Sequence, residues 1–209
     1  FTMTIDTRNN ATLPTLMALC LGIGAMFSVT TQATEASQTM ASKPASAATL
    51  SRQQQTIPLI AAFMATSDMP NLNTALNQGL DAGLTISETR EILVQLYAYV
   101  GFPRSLNALN ELMTVVQARK KRGIEDAPGR EPSRPTPIGD ELLAAGTANQ
   151  TRISGAPVKG PVFEFAPIIN QFLQAHLFGD IFERDNLDWR SRELATVGAL
   201  AATPVSYTH

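Results

Sequence analysis

Five side chains in this 209-residue chain have the types and surroundings for chemistry. His176 can shuttle a proton near neutral pH, although its place among Phe172, Leu173 and Leu177 equally describes a core or interface histidine with a satisfied ring. Arg104 carries a planar guanidinium fork that suits a carboxylate. Tyr99, with Tyr97 two residues before it, offers a phenol to a substrate, and Tyr97 falls on the buried side of its helix by spacing. Asn107 either faces a substrate or secures a turn. Glu193 is the fifth, and as a lone first-turn glutamate it reads as a solvated residue favoured by the helix dipole.

Several chemistries find no support. There is no cysteine pair, no pair of histidines at helical spacing and no calcium-type acidic loop, so no metal site is expected. No phosphate-cradling glycine loop is present, Gly22 and Gly24 belonging to the expected signal peptide, and no organic cofactor is expected. A net charge of -2 argues against a nucleic-acid surface.

Helices must position these groups. Thr85 and Glu88 have the spacing of a capping box, which predicts a helix from about Ile86. Ile92, Leu93, Leu96, Tyr97 and Val100 share its core face, while Glu88, Arg90, Glu91 and Gln95 fall largely elsewhere. Gly101, Phe102 and Pro103 form a structural corner, since Gly101 tolerates a left-handed backbone and Pro103 suits a first helical turn. Leu106, Leu109, Leu112, Met113 and Val116 then mark a second helix that ends near Gly123. Upstream, Ser51 to Ala65 reads as a helix kinked at Pro58, and Leu72, Leu76 and Leu80 space a shorter one ending at Asp81–Gly83. Residues 124–138 carry four prolines among charges and read as a linker. Beyond it, a modest helix is expected over Asp140–Asn149 and a stronger one over Val162–Phe178, stopped by Gly179. The last starts at Asp188, a good N-cap.

The hairpin segment Glu91–Leu109, EILVQLYAYVGFPRSLNAL, resembles the signature of the carboxymuconolactone decarboxylase family, through the Tyr99–Pro103 corner and Asn107. Asp185–Leu194, DNLDWRSREL, is similar to the segment that opens a repeat in that family. The resemblance spans roughly Leu50 to Ala202. It implies an all-α, oligomeric protein of the alkylhydroperoxidase D-like fold, and it implies a proton-relay role for Glu193, whose counterpart in the first repeat is Thr56. With Glu193 or His176 moving the proton and Arg104 holding the carboxylate, cofactor-independent decarboxylation of a small carboxylated lactone is the expected activity. The peroxidase branch of the superfamily works through Cys-x-x-Cys, and the one cysteine here is Cys20. A non-catalytic oligomeric binding protein is the third reading.

Laying Leu50 on Leu187 brings Ile57 over Leu194, Ile60 over Val197 and Phe63 over Leu200, which suggests two related repeats, residues 50–123 and 139–209. On that offset the second repeat is expected to be truncated and residues 203–209 to be non-native. The apolar run Leu13–Val29 within residues 1–36 has the layout of a signal peptide, with residues 37–49 a flexible leader and Met3 the initiator. Met17–Leu19 before Cys20 is unlike a lipobox. The expected location is the periplasm or outside the cell, with no stable membrane insertion after cleavage.

Overall fold

The computed structural model describes residues 49–203. The expected signal peptide with Met3 and Cys20, all of the leader but its last residue, and the tail from Pro204 to His209 lie outside the described residues. The described chain is all-α. Its helices are α1 (Arg52–Thr66), α2 (Met69–Asp81), α3 (Ile86–Gln95), α4 (Tyr97–Val100), α5 (Phe102–Lys121), α6 (Gly139–Ser154), α7 (Pro161–Phe165), α8 (Pro167–Phe172) and α9 (Trp189–Ala202). A π-helical segment, Leu173–Ile181, joins α8 to the turn before α9. None of these helices is long and apolar enough to cross a membrane.

Local chemistry sets most of the boundaries. The Thr85–Glu88 capping box forms, with the Glu88 backbone N–H donating to Thr85 Oγ1 at 3.1 Å and the Thr85 backbone N–H to Glu88 Oε2 at 2.9 Å. Ser51 and Gln54 make a second box at the start of α1. Asp68 caps α2 and Asp188 caps α9, each through a carboxylate that accepts from a backbone N–H three residues on. Gly101 turns the corner at φ 87°, where a side chain would be strained. Ser105, not Asn107, ties the corner back by donating to the Leu93 carbonyl at 2.8 Å.

α1 lies at the centre, packed on α9, α2, α3 and α5. Its Ile57, Ile60, Ala61, Met64 and Ala65 join Leu72, Leu76, Ile92, Leu93 and Leu96 in the main core, which Ala195 and Ala199 of α9 complete. Pro58 lies inside an unbroken α1. Gly198 meets it there, and a Cβ on Gly198 would stand 2.6 Å from the Pro58 Cα. α1 and α9, the helices that the Leu50–Leu187 offset lays over one another, pack directly together.

Four expectations need correction. Glu91 and Gln95, assigned to the polar side of α3, are buried, because that side of the helix is covered by α9 and the turn before it rather than by water. The single helix expected over 162–178 is split by Pro167 into two short pieces followed by the π-helical segment. Gly179 lies within that segment instead of ending a helix, and the Leu142 side chain packs against it so closely that a Cβ there would be 2.8 Å from Leu142 Cδ1. The apolar face expected there is also open: Phe165, Ile168, Ile169 and Phe172 are exposed.

Residues 124–138 form neither helix nor strand, yet they are strapped to their surroundings. The Ala127 and Pro128 carbonyls accept the Ile86 and Ser87 N–H groups that α3 leaves free at its start. Asp126 takes a two-pronged hydrogen bond from the buried Arg119 at 2.8–3.0 Å. Asp185 accepts from the Ser133 N–H, the Ser133 hydroxyl and Arg130, which together hold its carboxyl well below the usual range.

Candidate functional site

His176 projects from the π-helical segment, a geometry often found at functional sites, and it is half-exposed rather than sealed in a core. Its Nδ1 lies 2.6 Å from Asp180 Oδ2. A carboxylate only accepts, so this contact puts an N–H on Nδ1 and leaves proton exchange to Nε2. The ring also leans on Tyr97, with centroids 5.6 Å apart, and Tyr97 stacks on Phe102 at 4.2 Å and an interplanar angle of 16°. The corner therefore has a second use. Gly101 and Pro103 pin Phe102 where its exposed ring extends this aromatic row.

The other expected residues are arranged around the hairpin without converging on one cavity. Arg104 is exposed, and its Nη1 donates to the Val100 carbonyl at 3.1 Å, closing the end of α4. Asn107 is exposed on α5. Tyr99 is half-buried between the main core and the smaller cluster of Leu177, Phe178, Ile181 and Phe182. Glu193 is half-buried on α9, neither a solvated surface residue nor a sealed one, and burial pushes its carboxyl above the usual range. Thr56, which the repeat offset lays over it, donates to the Gln53 carbonyl at 2.8 Å.

The strongest polar constellation is one that residue spacing did not reveal. Glu91, 1% exposed, accepts from Arg184 Nε and Nη2 at 2.8 and 2.9 Å, from Arg192 Nη2 at 2.9 Å and from Asn186 Nδ2 at 3.1 Å. Arg192, fully buried, donates to Gln95 Oε1 at 3.0 Å, and Gln95 Nε2 returns a bond to the Arg192 carbonyl at 2.8 Å. Burial alone would raise the Glu91 carboxyl; the hydrogen bonds and charges of Arg184 and Arg192 outweigh it and hold the group below its ordinary range. Burial acts on Arg192 as well and lowers its guanidinium from the usual value, against the pull of Glu91. The one available signal was the three arginines in 184–192, two of which, Arg184 and Arg192, face a glutamate that had no evident partner on its own helix.

Chemically, the His176–Asp180 pair can accept or return a proton at Nε2, Glu193 can hold one on a half-buried carboxyl, and Arg104 offers a guanidinium at the surface of the same corner. The Glu91 carboxylate is filled by two cations and Asn186, and it clamps α3 to α9 and the turn before it. Among the described residues no cluster of three or more histidine, cysteine, aspartate or glutamate side chains is placed to hold a metal ion. No model of a known protein family matches the chain, and no curated protein matches it.

Proposed function

We propose that the chain is a carboxymuconolactone decarboxylase-like protein of the alkylhydroperoxidase D-like fold, exported, oligomeric and acting without an organic cofactor on a small carboxylated lactone. The observation that carries the reading is the half-exposed His176, oriented by Asp180 and flanked by the Tyr97–Phe102 stack. An oriented imidazole beside flat aromatic rings suits proton transfer to a planar unsaturated ring. In the proposed reaction the bond from the ring to its carboxylate breaks and carbon dioxide leaves. The electron pair enters the conjugated ring, and a proton that His176 Nε2 has first taken from water, or that of the Glu193 carboxyl, is added at the ring carbon. Arg104 binds the departing carboxylate before the step, which requires it to leave the Val100 carbonyl.

The test uses the purified full chain and a γ-lactone bearing a ring carboxylate, with carbon dioxide release as the signal. His176→Asn is expected to lower kcat by about 10²–10⁴, the usual contribution of a positioned acid–base group. Arg104→Ala should abolish turnover or raise KM steeply. Variants that perform as well as an active parent would remove these residues from the reaction.

A second reading is favoured by the exposed apolar run Phe165, Ile168, Ile169 and Phe172. Such a surface suits a non-catalytic oligomeric binding protein, and a stable oligomer inert towards the lactone would support it. The peroxidase alternative lacks a cysteine pair, since Cys20 is the one cysteine of the chain.

A further inference from the structure

Beside the strap, α3 and α5 flank an apolar groove of about 460 Å³. It is lined by the apolar Ile86, Leu109, Leu112, Met113 and Val116, together with Arg90 and Gln117. The volume lies within the roughly 300–1,000 Å³ of small-molecule sites. Leu109, Leu112, Met113 and Val116 recur at spacings of three and one, which lays them in a continuous stripe along α5. Met113 is 53% exposed, and a methionine adapts readily to an irregular alkyl group.

Arg90 shows how a ligand's polar end would be held. Its side chain is 43% exposed and forms an ion pair with Glu131 of the strap, itself 69% exposed. The chain's own carboxylate therefore already occupies the guanidinium that lines an apolar trough. An exposed pair of this kind contributes little to stability. The strap does not depend on it, because Arg130 and Ser133 on either side of Glu131 are secured to Asp185.

We propose that the α3–α5 groove binds a small amphipathic carboxylate, with its alkyl chain along Leu109, Leu112, Met113 and Val116 and its carboxylate replacing Glu131 on Arg90. This site is separate from the His176 region and does not depend on the reaction proposed above. Glu131 acts as a built-in competitor that sets the affinity.

Calorimetric titration of the full chain with decanoate, below its micellar concentration, tests the proposal. Saturable binding with one decanoate per chain is expected, and acetate should not bind because it lacks the apolar part. Arg90→Gln should weaken decanoate about tenfold, the effect of losing one charge-assisted contact, while leaving decanol unchanged. Glu131→Gln should tighten decanoate several-fold by removing the competitor. Met113→Glu, an exposed position, should block the trough without unfolding the chain, as circular dichroism would verify. Absence of saturable binding would overturn the proposal, as would binding indifferent to both Arg90→Gln and Glu131→Gln, which means adsorption to exposed apolar surface. A dimer that excludes decanoate and dissociates in Met113→Glu would assign the groove to a second copy of the chain and would equally overturn it.

Discussion

Replacing Glu91 by glutamine keeps the size and the acceptor oxygen but removes the only carboxylate bonded to Arg192. Arg184 is 34% exposed at its side chain and can turn towards water, so its charge is readily rehydrated. Arg192 cannot: it is 0% exposed, its Nε already lacks a partner among the described residues, and its remaining bonds go to neutral oxygens. The cost is therefore that of leaving one cation buried and unpaired, about 3–5 kcal/mol. For a folded region of this size that corresponds to a fall in Tm of roughly 6–20 °C. Urea unfolding followed by circular dichroism measures it. The double variant Glu91→Met with Arg192→Leu should recover much of the loss, since an apolar pair of similar volume removes the buried charge altogether. The pH dependence gives an independent check. Because the folded Glu91 carboxyl lies below its unfolded value of about 4.3, its contribution is fully present above that pH and is lost as pH falls through the lower folded value. The gap between parent and Glu91→Gln should narrow below about pH 4. A loss under about 1 kcal/mol at pH 7, within the range of an exposed pair, would refute the argument that the clamp is buried and charge-balanced.

Other perturbations probe separate features. Gly198→Ala forces a methyl into the Pro58 backbone and should cost about 1–3 kcal/mol or more through separation of α1 and α9, read as a lower urea midpoint. Thr85→Ala removes one capping box and should cost about 1 kcal/mol, with no change in the unfolding slope. Arg119→Met leaves Asp126, 7% exposed at its side chain, without its cation. Trypsin cleavage of the strap at Arg130 should accelerate several-fold in that variant, and an unchanged rate would mean that the strap is held by its other contacts alone. Asp180→Asn should lower lactone turnover less than His176→Asn does, because it disturbs the ring's orientation while the imidazole remains.

What the residues determined by themselves is local. Thr85 and Glu88, Asp68, Asp188 and the Gly101–Pro103 corner each act through hydrogen bonds or backbone angles within a few positions, so their types and spacing suffice to place helix ends. The all-α class follows from the same short-range signals together with the helical period of the apolar residues. Long-range questions were not decided there. Glu91 and Gln95 look like solvent-facing residues of α3 until α9 and the turn before it arrive with Arg184, Asn186 and Arg192, more than ninety positions away. Burial of a charge depends on a partner that only the packed chain supplies. The same holds for the candidate site: Asp180 is one π-helical neighbour of His176, but Tyr97 and Phe102 reach it through the packing of the hairpin on the Leu177–Phe182 cluster. Periodicity also shows which residues share a face, not whether anything covers it. Leu72 and Leu76 are covered and Phe165 and Phe172 are not, a difference that tertiary packing alone decides.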